Sequence, residues 1–133
     1  MNYQNKHLVG AMIVAGWDPV EKGQVYGCPI GGTIVREKWT IDGSGSTFIW
    51  GYMDSQFKEG MSRGDAEKLV ANALAGAMAK DGSSGGVIRL VTIDEAGVTR
   101  RMIDENDGDF PDMGKDAWFG QQLEMLQTYG VRV

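Results

Sequence analysis

Residues 62–93, with the sequence "SRGDAEKLVANALAGAMAKDGSSGGVIRLVTI", contain the clearest structural signals in the chain. Ser62 and Asp65 have the spacing of a capping box, which is typical of a helix N-terminus. The apolar residues that follow recur at i, i+3, i+4 and i+7, as on one face of an amphipathic helix. They are Ala66, Leu69, Val70, Ala73, Leu74, Ala77 and Met78. We therefore predict a helix that covers a sheet and ends near Lys80, with Gly82 just beyond its end.

The loop "DGSSGG" at residues 81–86 joins this helix to an apolar, strand-like stretch. It places a carboxylate, two hydroxyls and three glycines at one junction, although a single glycine is enough to end a helix. We expect Gly85 and Gly86 to allow close backbone packing where the strand begins. A second polar glycine cluster, "GSGS" at residues 43–46, lies between a predicted strand and a predicted helix. Taken singly, either loop is explained by capping and turning.

The remaining patterns predict a layered α+β fold. Ile49, Met53 and Phe57 recur at i, i+4 and i+8, which indicates a second helix within residues 47–57. Strands are predicted at residues 8–17, 24–29 and 33–41, and the first of these is expected to be buried. Two more strands, joined by a turn at residues 95–97, are predicted within 86–103. Five strands and two helices in this order favour hairpin connections over a repeated βαβ unit.

Charge and composition exclude several classes of function. The net charge is −5, but residues 1–103 hold 11 basic and 11 acidic side chains, whereas the last thirty hold 2 and 7. Neither part has the basic stripe of a nucleic-acid-binding protein. The longest apolar run, residues 8–17, is about half the length of a membrane-spanning helix. A single cysteine, Cys28, excludes an internal disulfide, and a single histidine, His7, excludes a histidine-rich metal site. We predict no cofactor, no metal and no membrane or nucleic-acid partner.

The last thirty residues differ in character from the rest. Residues 104–116, "DENDGDFPDMGKD", contain six acids and one lysine, and we predict that they are extended and solvated. Phe119, Leu123 and Leu126 then recover helical spacing. The sequence therefore divides into a folded part, 1–103, and an acidic linker with a short amphipathic tail, 104–133. The tail either docks on a neighbouring protein or folds onto its own body.

Ser44, Asp81 and Ser84 are the candidate site residues. Together they offer two hydroxyls and a carboxylate without a histidine to act as base. Hydroxyl nucleophiles that work without histidine use an amine instead, either a lysine or the N-terminus of the chain. A different interpretation is that "GSGSTF" at residues 43–48 holds a phosphate, although it lacks the Gly-Lys-Ser/Thr ending of a P-loop.

Three long stretches of the chain carry a family resemblance. They are "VAGWDPVEKGQVYGCPIGG", "IDGSGSTFIWGYMDSQFKEGMS" and "LVANALAGAMAKDGSSGGVIRLVTIDEAGV". In this order they resemble the C-terminal half of a proteasome beta subunit of the beta-1, acid-preferring (caspase-like) type, over residues 3 to about 103. The resemblance implies an N-terminal-nucleophile hydrolase fold, a four-layer αββα sandwich with antiparallel sheets, of which residues 1–103 are the C-terminal half.

The resemblance also implies a function. Proteasome beta subunits assemble with other alpha and beta subunits into seven-membered rings of the 20S core particle, bind regulatory caps, and degrade unfolded polypeptides. This degradation is linked to ATP and ubiquitin, and the expected location is the cytoplasm and nucleus. In the family, the hydroxyl of an N-terminal threonine attacks the peptide bond and its own amine is the base. Ser44, Asp81 and Ser84 match the hydrogen-bonded groups around that amine.

Several catalytic groups of the family are not matched in this sequence. They are the threonine nucleophile, a lysine, the first aspartate and the backbone donor to the oxyanion. We therefore expect these 133 residues to be inactive alone and to act as the C-terminal part of a longer catalytic subunit. Two alternatives stay open: a short structural subunit that fills a ring position without cutting, and an unrelated module that binds a phosphate.

Overall fold

The computed structural model describes residues 9–112, which form an α+β arrangement with antiparallel sheets. They divide into two compact units. The first contains the described residues up to Gly43 together with 91–100, and the second contains 44–90 and the described residues from Arg101 onward. The predicted helix-forming tail within 113–133 and His7 lie outside the described residues. The division at 103/104 between a folded part and a tail stays a prediction.

The first unit contains a three-stranded sheet. Its strands are β1 (Met12–Asp18), β2 (Lys22–Cys28) and β3 (Val35–Glu37), in the order β1-β2-β3. Both pairings are antiparallel, and Asp18 faces Lys22 across the first turn. The carboxylate of Asp18 closes this turn, because its Oδ1 accepts the N–H groups of Val20 (2.8 Å) and Glu21 (2.7 Å). Aspartate favours such turns since its short side chain reaches the backbone just ahead of it.

The prediction that the first strand is buried is wrong for this chain. Met12, Ile13 and Val14 in β1 are 55%, 44% and 47% exposed. These neighbours point alternately to opposite faces of the sheet, so both faces are open here. The described part of this unit contains strands and loops but no helix that covers either face. The strand predicted at 33–41 is also shorter, because only Val35–Glu37 pairs with β2.

The second unit is built on two helices. A single 3₁₀ turn (Ser46–Phe48) leads into α1 (Trp50–Gln56), and α2 spans Arg63–Lys80. The predicted cap is confirmed, because Ser62 Oγ accepts the N–H of Asp65 at 3.2 Å. Val70, which we placed on the apolar face, is 41% exposed instead. The buried residues of α2 are mostly small and lie on two sides of the helix. Leu69, Ala73, Gly76 and Ala77 are on one side, and Ala71 and Ala75 are on another.

The predicted pair of C-terminal strands is confirmed. β4 (Val87–Asp94) and β5 (Gly97–Asp104) are joined by a two-residue turn, and Gly97 has a φ of +122° that few other residues adopt. Ile88 on β4 packs with Ala75 and Ile103 in the core of the second unit. Phe110 packs against the same core, and residues 105–110 form turns. For residues 105–110 of the acidic segment the predicted extended conformation is therefore wrong, although most of these residues are exposed. Among residues 9–112, no helix has both the length and the apolar character that crossing a membrane requires.

Candidate functional site

The end of α2 positions the carboxylate of Asp81. Its backbone N–H donates to the carbonyl of Ala77 at 2.7 Å, which completes the last helical turn. Its φ of −90° and ψ of 113° are extended, so the chain leaves the helix at this residue. We expected Gly82 to end the helix, but Gly82 does not adopt a positive φ. Asp81 is thus both the last capping residue of α2 and the first residue of the loop.

Ser44, Asp81 and Ser84 lie together. Ser44 Oγ donates a hydrogen bond to Asp81 Oδ2 at 2.6 Å, and Ser84 Oγ donates to the same oxygen at 2.5 Å. The backbone N–H of Ser83 donates to the other oxygen, Oδ1, at 3.2 Å. Ser44 comes from a loop 37 residues earlier in the chain than Asp81. Two loops of the second unit therefore converge on one carboxylate, while the catalytic role of the three residues stays a prediction.

These hydrogen bonds stabilise the ionised form of Asp81. The hydroxyl of Ser44, then that of Ser84 and the N–H of Ser83, lower the pKa of Asp81 below its ordinary value of 3.8, and slight desolvation opposes them. Each serine points its hydroxyl proton at Asp81, so the lone pairs of the serine oxygens are left to accept from another donor. A carboxylate with two oriented hydroxyls can stabilise an ammonium group or pass on a proton. It cannot deprotonate a hydroxyl as a strong base does.

The glycines of the two loops have different structural roles. Gly43 and Gly86 have φ values of +100° and +92°, which favour glycine, and a side chain at either would meet open space. Gly85 is also open, so the predicted close packing at Gly85 and Gly86 is wrong. Close packing occurs instead at Gly45, which is buried against Ala77 and Asp81. Sequence reasoning missed Gly45, since its contacts are more than thirty residues away and no local pattern marks them.

The geometry disfavours the phosphate-binding interpretation of "GSGSTF". The hydroxyl of Ser44 is already directed at the ionised Asp81, and that negative charge would repel a phosphate held by the same loop. The 3₁₀ turn that follows is only three residues long. It therefore offers little of the helix dipole that favours anions. In the part of the chain that the structure describes, no group of three or more His, Cys, Asp and Glu side chains is placed to hold a metal ion.

Comparison with known proteins matches most of the chain, including Ser44, Asp81 and Ser84, to one family. Residues 1–93 match the sequence profile described as "Proteasome subunit". The chain is 51% identical over 105 residues to "Proteasome subunit beta type-6" of Dictyostelium discoideum, an alignment that covers 78% of this chain and 49% of the relative. It is 46% identical over 101 residues to "Proteasome subunit beta type-6" of Arabidopsis thaliana, covering 75% and 43%. It is 53% identical over 96 residues to human "Proteasome subunit beta type-9", covering 72% and 43%. The chain thus spans slightly less than half the length of these curated relatives.

Proposed function

This chain belongs to the proteasome beta-subunit family, and from that premise we propose that it acts as part of a catalytic subunit of the 20S core particle. The reaction is threonine-type hydrolysis of peptide bonds, with cleavage after acidic residues as in the beta-1 type. In this proposal Ser44, Asp81 and Ser84 support the amine of an N-terminal threonine. The threonine, its lysine and the first aspartate come from a part of the subunit outside these 133 residues.

One observation carries the proposal: a single oxygen, Asp81 Oδ2, accepts hydroxyl protons from both Ser44 and Ser84. When a threonine hydroxyl attacks a peptide carbonyl, its proton must move to a base, and the N-terminal amine becomes an ammonium. The negative charge of Asp81 and the free lone pairs of the two serine oxygens stabilise that ammonium. The proton then passes to the leaving amine of the substrate, and water hydrolyses the acyl-threonine intermediate.

The proposal extends to fold and assembly. We propose that the described elements belong to a four-layer αββα sandwich, whose further layers cover the apolar residues Met12, Ile13 and Val14 that are exposed here. Exposed neighbouring apolar side chains of this kind usually become buried in an interface. The expected partners are alpha and beta subunits in seven-membered rings, and regulatory caps. The expected substrates are unfolded polypeptides, in ubiquitin-linked degradation in the cytoplasm and nucleus.

The decisive experiment replaces the carboxylate without changing its shape. In assembled particles that contain the complete subunit, Asp81→Asn removes the charge that stabilises the ammonium. We expect turnover of a fluorogenic peptide ending in aspartate or glutamate to fall by about 100-fold or more, within the range for loss of a group that assists proton transfer. Assembly, measured on native gels, should be unchanged because asparagine keeps the size and shape of the aspartate side chain.

Asp54→Asn is the matched control. Asp54 is an exposed aspartate on α1 and belongs to neither loop, so this variant should keep normal turnover. Normal turnover in Asp81→Asn would remove Asp81 from the catalytic machinery. Particles that assemble but show no acid-directed cleavage even with the wild-type subunit would instead favour a structural, non-catalytic subunit.

A further inference from the structure

Gly45 lies close to the side chains of Ala77, near the end of α2, and of Asp81, the first residue of the second loop. A methyl group added at its Cα would lie 3.1 Å from Ala77 Cβ, 3.2 Å from Asp81 Oδ2 and 3.3 Å from Asp81 Cβ. All three separations are shorter than ordinary contacts between carbon or oxygen atoms, which begin at about 3.5 Å. The space beside Gly45 is therefore filled by the same residue whose carboxylate accepts the two serine hydroxyls.

The backbone conformation of Gly45 does not require glycine. Its φ of −86° and ψ of −6° lie in a region that other residues adopt. Gly43, two residues earlier, shows the opposite case, with a φ of +100° and open space around it. Alanine at position 45 is thus disfavoured by its close neighbours rather than by strain in its own backbone.

The atoms around Gly45 have little freedom to move away. Ala77 and Asp81 are four residues apart at the end of α2 and so lie on the same side of the helix. Ala77 has no rotamer that would clear the space, and it is only 5% exposed. Asp81 Oδ2 is held by the hydroxyls of Ser44 and Ser84. A methyl group at position 45 must therefore displace either the carboxylate or the loop that carries Ser44.

We propose that Gly45 is a positioning residue, whose missing side chain lets the loop 43–46 approach α2 closely enough for Ser44 to reach Asp81. Ala77 is its counterpart on the helix, since a residue larger than alanine would close the same gap. The placement of the carboxylate follows from the geometry alone. Its consequence for catalysis rests on the function proposed above.

The first test measures the carboxylate directly and involves no catalysis. In the full 133-residue chain, the pH titration of the Asp81 side-chain carbon is followed by NMR in the wild type and in Gly45→Ala. We expect the pKa of Asp81 to rise toward the ordinary value in the variant, because a displaced carboxylate loses the hydroxyl of Ser44. Gly82→Ala is the matched control, since Gly82 is in the loop after Asp81, lacks a positive φ and has open space at its Cα. An unchanged titration in Gly45→Ala would overturn the proposal.

A compensating change on the helix guards against a simple folding defect. Adding Ala77→Gly to Gly45→Ala removes the shortest of the three contacts, at 3.1 Å. The contacts with Asp81 at 3.2 and 3.3 Å remain, so we expect the pair to restore the wild-type amide spectrum and to restore the wild-type titration only in part. If Gly45→Ala loses its fold and Ala77→Gly does not restore it, Gly45 serves the fold rather than the placement of Asp81, and the proposal is wrong.

The second test concerns catalysis in assembled particles. Contacts of 3.1–3.3 Å require the neighbours of a new methyl group to shift by a few tenths of an ångström. Since a misplacement of about 1 Å can lower turnover by about 100-fold, Gly45→Ala should lower kcat for the acidic peptide several-fold, with KM little changed. Gly82→Ala should have wild-type kinetics. If Asp81→Asn has normal turnover while Gly45→Ala shifts the Asp81 titration, the positioning role stands and the proposed function fails. If Asp81→Asn is inactive but Gly45→Ala matches the wild type in both measurements, the function stands and the positioning role fails.

Discussion

Ser44→Ala separates the contribution of the distant loop from that of the loop that contains Asp81. The variant removes the 2.6 Å hydrogen bond to Asp81 Oδ2 and leaves Ser84 at 2.5 Å and the Ser83 N–H at 3.2 Å. Two of the three donors to the carboxylate remain, so Asp81 should stay ionised at neutral pH. Its pKa should rise, because the Ser44 hydroxyl is the largest of the causes that lower it.

The size of the effect follows from the exposure of Ser44. A hydrogen bond to an ionised group contributes more than one between neutral groups, but Ser44 is exposed, and water can replace its hydroxyl. We therefore expect turnover in assembled particles to fall only about tenfold, at the lower end for such a bond. The double variant Ser44→Ala with Ser84→Ala should lose less than the product of the two single losses, because both hydroxyls serve one carboxylate.

The pH dependence of stability provides an independent assay. A carboxylate with a lowered pKa stabilises the fold above the pKa of the unfolded chain, and this contribution disappears as pH falls through the lower, folded value. The stability difference between wild type and Ser44→Ala should thus be constant near pH 6 and shrink below the ordinary value of 3.8. Urea unfolding of the full chain at several pH values measures it. Ser46→Ala in the same loop is the control, since the Ser46 hydroxyl does not bond Asp81.

A specific pair of results would contradict an energetic role for the Ser44 hydroxyl. If Ser44→Ala matches Ser46→Ala in turnover and in the acid dependence of its stability, the hydrogen bond between the two loops has no energetic role. The site would then depend on Ser84 and Asp81 alone.

Two further predictions concern the elements that hold the site in place. Ile88→Ala should lower the free energy of unfolding by about 2–5 kcal/mol, because Ile88 is 1% exposed and packs against Ala75 and Ile103. Val91→Ala, at a position 50% exposed on the same strand, should lower it far less. Equal losses of stability in urea unfolding would contradict the assignment of Ile88 to the core. Ser62→Ala should cost about 1 kcal/mol by removing the acceptor for the Asp65 N–H at the start of α2; a urea midpoint equal to that of the wild type would show that the cap does not stabilise the chain.

Local signals in the sequence predicted the regular elements well. The start of α2 at Ser62 and the turn between β4 and β5 depend on contacts within a few residues, and both predictions are confirmed. Burial was harder to predict, because it depends on what packs against an element. β1 has the apolar composition of a buried strand but is exposed, and Val70 on α2 is 41% exposed.

The candidate site, like the fold, could be predicted from the sequence only in part. The amino-acid sequence by itself determined that two polar glycine loops, 43–46 and 81–86, stand beside α1 and α2, and its family resemblance singled out Ser44, Asp81 and Ser84. Only the folded structure shows that Ser44 and Ser84 share one oxygen of Asp81, and that Ala77 and Asp81 occupy the space beside Gly45. The physical reason is distance along the chain. Propensity and periodicity report on neighbours in sequence, whereas contacts between loops more than thirty residues apart arise only when the helices that carry them have packed.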